Sequence, residues 1–143
     1  MKISSKGRYA VMALTDLAIY NKSGPVSLRD ISLRQNISLQ YLEQIFLKLK
    51  KNNIVLSIRG TKGGYKLSRN ASQIKLSEIF LAVNENVKTI KCIKHQKKGC
   101  TGKSIKCNTH KLWEELDGYI NSFFETKLLS DLANKNDLEK RFI

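Results

Sequence analysis

The residues in this chain best suited to chemistry are three cysteines and a histidine close together in the sequence. Cys92, Cys100 and Cys107 are the only cysteines. His110 follows the last of them after two intervening residues. Three thiolates and one imidazole fit tetrahedral zinc, and they also fit a binuclear iron–sulfur cluster, for which four cysteines are the commoner set. Redox chemistry of the thiols without a metal is the third alternative, and the spacing alone does not decide among the three.

The segment that carries these residues is rich in lysine. Residues 88–111 contain eight lysines and no acidic residue, and they show no apolar periodicity, which predicts a loop. The lysines fit a positive surrounding that stabilises thiolates, a strip that contacts DNA, or plain solubilising charge. His95 lies in the same predicted loop and is a competing ligand.

The charge of the chain favours a polyanionic partner. The formal charge is +14, and residues 1–75 hold 14 Lys/Arg against 3 Asp/Glu. Nucleic acid and an anionic membrane surface are the partner classes that such charge attracts. No apolar run approaches the length of a spanning helix, and the N-terminus has no apolar signal core. We therefore expect a cytoplasmic protein without a membrane segment.

The first half of the chain predicts three helices. Apolar residues recur at three- and four-residue steps from Tyr9 to Ala18, which predicts an amphipathic helix capped by Ser4 or Ser5. After Pro25, a capping-box spacing predicts a short helix. Its inward residues are expected to be Leu28, Ile31 and Leu33. A tight turn over residues 35–38 then leads to a longer helix, and this pair predicts a helix-turn-helix.

A β-hairpin is predicted directly after the third helix. Residues 54–59 are a β-branched run that ends at Gly60, and residues 65–68 form the second strand. A helix-turn-helix followed at once by such a hairpin is a winged helix. The predicted fold class is therefore mostly α with a small β-hairpin wing.

Candidate DNA contacts lie on the third helix and in the wing. They are Ser38, Gln40, Glu43, Gln44, Arg59 and Lys62. Glutamine pairs with adenine and glutamate with the cytosine amino group in the major groove, and an arginine in the wing suits a narrow minor groove. A solvated helix surface is the plainer interpretation of any one of them. Together with the wing and the charge, they predict binding to double-stranded DNA.

A long C-terminal helix with a wide apolar stripe is predicted from Lys111 to Phe124. We expect this stripe to pack against a second copy in a homodimer, with packing on the first helix as the alternative. The predicted domains are a winged helix-turn-helix over residues 1–75 and a second part over residues 76–143. That second part holds the cysteine-bearing loop and the dimerisation helix.

Four motifs resemble a known family, the iron–sulfur cluster regulator IscR and its winged-helix relatives. They are Ser4-Ser5-Lys6-Gly7-Arg8-Tyr9-Ala10, Ile37-Ser38-Leu39-Gln40-Tyr41-Leu42-Glu43-Gln44, Arg59-Gly60 with Gly63-Gly64-Tyr65, and Cys107 and His110 followed by Leu112-Trp113. The resemblance covers nearly the whole chain. Two features depart from the family pattern: the intervals between the cysteines are longer, and Gln40 stands where a smaller residue is expected.

The resemblance implies a homodimeric transcription regulator, not an enzyme, that controls genes of iron–sulfur cluster biogenesis. It implies a [2Fe–2S] cluster held by Cys92, Cys100, Cys107 and His110. It also implies base readout from the third helix and Arg59, and contact with iron–sulfur assembly proteins. Zinc held structurally by the same four residues remains the alternative, and no carboxylate–histidine or nucleophile–base set accompanies the cysteines to suggest catalysis.

Overall fold

The computed structural model describes residues 2–89 and 106–134, which are mostly helical. The helices are α1 (Ser5–Tyr20), α2 (Leu28–Gln35), α3 (Leu39–Lys51), α4 (Leu76–Ala82), α5 (His110–Thr126) and α6 (Leu129–Leu132). Strands β1 (Val55–Ile58) and β2 (Gly64–Leu67) pair antiparallel, and short 3₁₀ turns lie at Asn21–Ser23 and Ala71–Gln73. The predicted fold class is confirmed.

Side-chain caps define the helix-turn-helix formed by α2 and α3. Ser27 Oγ accepts from the Asp30 N–H at 3.1 Å, and Ser38 Oγ accepts from the Tyr41 N–H at 3.5 Å. Asn36 ends α2 in the left-handed region at φ 53°. The predicted turn over residues 35–38 is thereby confirmed. The prediction for Leu33 is wrong: it is 75% exposed, because it lies two residues after the buried Ile31 and therefore on the other side of the helix.

The start of α1 is capped from a distant part of the chain. Ser4 occupies the N-cap position, as predicted, but its side chain does not accept a hydrogen bond from the helix. The Glu85 carboxylate takes that role. It accepts from the Gly7 N–H at 3.1 Å and from the Ser4 hydroxyl and N–H. A charge cap suits the positive end of a helix dipole.

One hydrophobic core lies beneath these elements. Leu14, Ile31, Phe46 and Val55 from α1, α2, α3 and β1 are fully buried in it. Residues of α4 and the fully buried Leu129 of α6 join the same core. The division of the chain at residue 75 remains a prediction about how function is shared between the two parts.

The wing is held to the body by a third stretch of backbone. Val26 forms a β-bridge with Tyr65, and each N–H donates to the other's carbonyl at 2.9 and 2.8 Å. Gly64, at φ 154°, allows this contact, because a Cβ there would overlap the Val26 carbonyl. Tyr65 also packs edge-on against Phe46, with ring centroids 4.9 Å apart. The wing is therefore fixed relative to α3.

α5 lies against α4 and returns the chain to the core. Phe124 packs edge-on against Phe80 with ring centroids 4.6 Å apart. Leu128 then forms a β-bridge with Lys75, just before α4. Within the described parts of the chain, no helix combines the length and apolar character needed to cross a membrane.

Candidate nucleic-acid interface and metal-binding segment

The outer face of α3 carries the predicted base-reading residues. Gln40, Glu43 and Gln44 are exposed. The opposite face is buried: Leu42, Ile45, Phe46 and Leu49 are each at most 1% exposed. Ser38 is exposed at the N-terminus of this helix, where an N-cap residue can lie close to a DNA backbone. The side chains that can form hydrogen bonds to base edges are therefore presented together on one rigid helix.

An ion pair with a buried carboxylate joins α2 to α1. Asp16 on α1 is 2% exposed and accepts from Arg34 Nη2 at 2.7 Å, from Arg34 Nε at 2.9 Å and from Gln35 Nε2 at 2.8 Å. Hydrogen bonding to Asp16 is the main cause that raises the pKa of Arg34. The guanidinium also stacks over the Tyr20 ring at 3.9 Å. The sequence analysis missed this network, because 18 residues separate Asp16 from Arg34.

The wing tip presents two basic side chains. Arg59 follows β1, Lys62 lies within the turn, and both are exposed. Gly60 takes φ 118°, and the Gly63 N–H donates to its carbonyl at 3.0 Å, so the tip is a defined turn. A Cβ on Gly63 would overlap the Ile58 carbonyl, which gives this glycine a role inside the wing itself.

Two of the four predicted ligands lie together at the start of α5. Cys107 is half-buried, and the His110 N–H donates to its carbonyl at 3.1 Å. Cys107 Sγ lies 3.6 Å from Thr109 Oγ1. Cys92, His95 and Cys100 lie outside the described residues. Among residues 2–89 and 106–134, no group of three or more His, Cys, Asp or Glu side chains is arranged to hold a metal ion.

The chain on the other side of the cysteine-bearing segment is anchored to the same helix. The Thr89 N–H donates to Asp117 Oδ1 at 2.7 Å, and the Thr89 hydroxyl donates to the Trp113 carbonyl at 3.5 Å. Trp113 in turn donates from Nε1 to Thr109 Oγ1 at 3.2 Å. The described residues that flank 90–105, Thr89 on one side and Cys107 on the other, therefore both lie by the N-terminal half of α5.

The segment between α4 and Thr89 also contacts α1. Burial raises the pKa of the Glu85 carboxyl, but hydrogen bonds from Ser4 and Gly7 and the charge of Lys6 outweigh burial, and the pKa lies below its ordinary value of 4.5. Lys6 Nζ donates to the Asn84 carbonyl at 3.2 Å. Residues 84–89 thus connect the N-terminus of α1 to α5.

Large apolar side chains on α5 are exposed. Leu112, Leu116, Tyr119 and Phe123 are 57%, 39%, 67% and 54% exposed. A cleft of about 260 Å³ lies beside them, lined by Ile3, Val87, Tyr119, Ile120, Phe123 and Phe124. The predicted apolar stripe is real, and most of it does not pack on the described part of the chain.

Comparisons with known proteins agree with this architecture. The Rrf2 family, described as an iron-dependent transcriptional regulator, matches residues 3–135. The chain is 46% identical over 138 residues to the HTH-type transcriptional regulator IscR of Yersinia enterocolitica. The aligned residues cover 96% of this chain and 82% of the relative.

Solved structures of related proteins have the same fold. IscR of T. potens superposes with a TM-score of 0.74 and 32% identity, covering 100% of this chain and 92% of the other. CymR, the global cysteine regulator of B. subtilis, superposes with a TM-score of 0.77 and 28% identity, covering 93% and 96%. These relatives are transcriptional regulators rather than enzymes. The chain therefore belongs to the Rrf2 family of transcriptional regulators, and within it to the IscR type.

Proposed function

We propose that this regulator controls genes of iron–sulfur cluster biogenesis and senses cluster supply through a [2Fe–2S] cluster on Cys92, Cys100, Cys107 and His110. The observation that carries the proposal is that the described residues flanking 90–105 both lie by the N-terminal half of α5. Thr89 is held by Trp113 and Asp117 on one side, and Cys107 leads into the helix on the other.

Chain geometry supports the inclusion of Cys92. Thr89 contacts Trp113 and Asp117, which are three and seven residues, or roughly 4.5 and 10.5 Å of helix rise, from His110. Cys92 is three residues beyond Thr89, and three extended residues span at most about 11 Å. Cys92 can therefore reach a centre shared with Cys107 and His110. The longer interval to Cys100 sets no such limit.

The thiolate and imidazole ligands of the proposed site fit a [2Fe–2S] cluster. Thiolates are the ligands that iron–sulfur clusters prefer, and imidazole replaces a thiolate in some of them. When bound, the cluster supplies a redox-active, iron-dependent centre whose presence reports cluster supply. The chain contributes the ligands, the lysines around them and the anchors at Thr89 and Thr109. Contact with iron–sulfur assembly proteins is part of the proposal.

The signal has a physical route to the DNA-binding half. Residues 84–89 run from the Glu85 cap on α1 to the Thr89 anchor on α5. A rearrangement of the cysteine-bearing segment that strains the Thr89 anchor would pull on Glu85 and on α1, against which α2 is locked by Asp16. Operator affinity is then coupled to the occupancy of the site.

The exposed stripe of α5 supports a homodimer. Its side chains include two aromatic residues more than half exposed, Tyr119 and Phe123, and they continue into the apolar cleft beside Ile3. A helix with a broad apolar face is stable in water when that face is covered. A second copy covers it symmetrically and also presents two winged helices to DNA, as two-fold operators require.

Anaerobic reconstitution tests the cluster. The wild type should show visible absorption, and Cys92→Ala, Cys100→Ala and Cys107→Ala should each remove it while far-UV circular dichroism is unchanged. His95→Ala is the matched control and should keep the absorption. A colourless wild type that binds one zinc per chain would instead support structural zinc, and a colourless, metal-free protein would support a thiol redox sensor.

Sedimentation tests the dimer. Phe123→Glu should convert a dimer to a monomer because it places a charge in the proposed contact, whereas Glu114→Gln on the same helix should not. A monomeric wild type at micromolar concentration would contradict the proposal.

A further inference from the structure

The outer face of α3 carries an exposed leucine among polar and charged neighbours. Leu47 is 55% exposed. It lies seven residues after Gln40, four after Glu43 and three after Gln44, and these spacings place all four on one face of a helix. Leu47 therefore lies on the surface that the proposed function assigns to DNA, and the residues three and four positions from it on the helix are all polar or charged: Glu43, Gln44, Lys50 and Lys51.

We propose that Leu47 is a specificity-determining residue that reads a thymine methyl group in the major groove. The inference rests on the proposed DNA-binding function and adds a base to what that function recognises. The reasons are the position of the side chain, its exposure and the chemistry of base edges.

Base-edge chemistry favours thymine over the other bases. The thymine C5 methyl is the apolar group that a major groove presents, and the remaining groups are hydrogen-bond donors and acceptors. A leucine can cover that methyl, but it cannot bond an amino or carbonyl group and would only remove water from it. An exposed leucine at this point thus gains from thymine and loses at cytosine or adenine.

The position along the helix gives the distance between the bases read. Seven residues of α-helix rise roughly 10 Å. DNA rises about 3.4 Å per base pair along each strand. The thymine read by Leu47 should therefore lie within about three base pairs of the base that Gln40 contacts, in each half-site, and it reaches that limit when α3 lies parallel to the DNA axis.

The charges around Leu47 point to DNA as the partner. Lys50 and Lys51 are exposed at the C-terminal end of α3, and Arg59 and Lys62 are exposed in the wing next in the chain. These cations suit phosphate. A polyanion bound by these cations would bring a base edge, rather than another apolar surface, against Leu47.

The test uses duplexes selected by the wild-type full-length protein from a random-sequence pool. Each thymine of the best duplex is replaced in turn by deoxyuridine, which lacks only the methyl group, and equilibrium binding is measured at fixed salt. The wild type should bind roughly fourfold more weakly at one position per half-site, the change expected when about one carbon group is uncovered.

Variants assign that effect to the side chain. Leu47→Ala should bind the thymine duplex roughly fourfold more weakly and should be insensitive to deoxyuridine at that position, whereas Leu47→Met should retain the sensitivity. Leu81→Ala, which alters a leucine 77% exposed on α4, is the matched control and should behave as the wild type does. Thermal unfolding confirms that each variant folds.

Two results would overturn the inference while leaving DNA binding intact. One is a wild type that is insensitive to deoxyuridine at every thymine, and the other is a Leu47→Ala variant that keeps the full sensitivity. A wild type that enriches no sequence from the pool would overturn the proposed function, and this inference with it.

Discussion

At the scale of single residues, Asp16 makes a polar interaction whose removal should clearly destabilise the fold. Its carboxylate is buried and accepts from both Arg34 and Gln35, while Arg34 remains partly open to solvent. A buried carboxylate with these partners is well satisfied, and the partners lose their acceptor when it is removed.

We therefore expect Asp16→Ala to lower the free energy of unfolding by about 2–3 kcal/mol. The solvent exposure of Arg34 keeps the loss below that of a fully buried pair. Urea denaturation measures it, with Glu114→Ala on the exposed side of α5 as the control. A loss equal to that of the control would show that the ion pair contributes little.

Glu43 should determine which operators are accepted. Opposite cytosine it gains a hydrogen bond, and opposite acceptors it is desolvated without a partner, at a cost of about 1–3 kcal/mol. Glu43→Ala should relax specificity more than it lowers affinity, and it should strengthen binding to sites that lack the favourable base. Binding to a panel of single-base operator variants at fixed salt measures this. Uniform weakening on every operator would make Glu43 an ordinary surface residue.

Single-residue features were predictable where they are local. The caps at Ser27 and Ser38 follow from spacing within four residues, and the structure confirms them. The Asp16–Arg34 pair was not predicted, because it depends on how α1 and α2 pack. The exposure of Leu47 was not predicted either, although its helical spacing places it on the same face as Gln40, Glu43 and Gln44.

At the scale of elements, the Glu85 cap makes the stability that it contributes to α1 depend on pH. The pKa of Glu85 in the folded protein lies below its ordinary value of 4.5. The ionised cap therefore stabilises the fold fully above pH 4.5. This stabilisation is lost as the pH falls through the lowered pKa.

Glu85→Gln should be about 1 kcal/mol less stable than the wild type at neutral pH, the usual size of an N-cap contribution. The difference should shrink as the pH falls below 4.5, because protonation removes the same charge from the wild type. Urea denaturation at several pH values measures it, and Glu115→Gln is the control. A difference that is constant with pH would show that the charge of Glu85 is not what caps α1.

The wing gives a second prediction at this scale. Arg59→Ala should weaken binding most at operators with an A·T-rich minor groove beneath the wing, since such grooves attract arginine. Lys62→Ala removes one charge from the same wing and should weaken binding to operators of every sequence by the same factor. It should also reduce the slope of log K against log salt by about 0.9. Equal losses across sequences for Arg59→Ala would make it a phosphate contact.

The elements themselves were largely predictable from periodicity. The helices on both sides of the turn, the hairpin and the long α5 all match apolar patterns in the sequence. The bridge between Lys75 and Leu128 was not predicted, because it pairs two short stretches more than 50 residues apart with no pattern of their own. The prediction that Leu33 packs inward failed because its spacing from Ile31 is two residues.

At the scale of the whole molecule, three connections link the proposed sensor to the DNA-binding half. Thr89 joins the cysteine-bearing segment to α5. Glu85, in the segment of residues 84–89 that ends at Thr89, caps α1, and Asp16 joins α1 to α2. The cysteine spacing predicted a site but could not show these connections, since each one depends on tertiary contacts. They make the helix-turn-helix and the start of α5 parts of one mechanically continuous unit.

The central claim is that occupancy of the cysteine–histidine site changes operator affinity. The most direct measurement is anaerobic operator binding by one preparation before and after removal of its cluster, with occupancy followed by visible absorption. We expect at least about a fivefold difference on one or more operators, within the usual range of allosteric coupling. We also expect Cys107→Ala to bind like the cluster-free wild type under both conditions. Equal affinities of the loaded and cluster-free protein on every operator would contradict it.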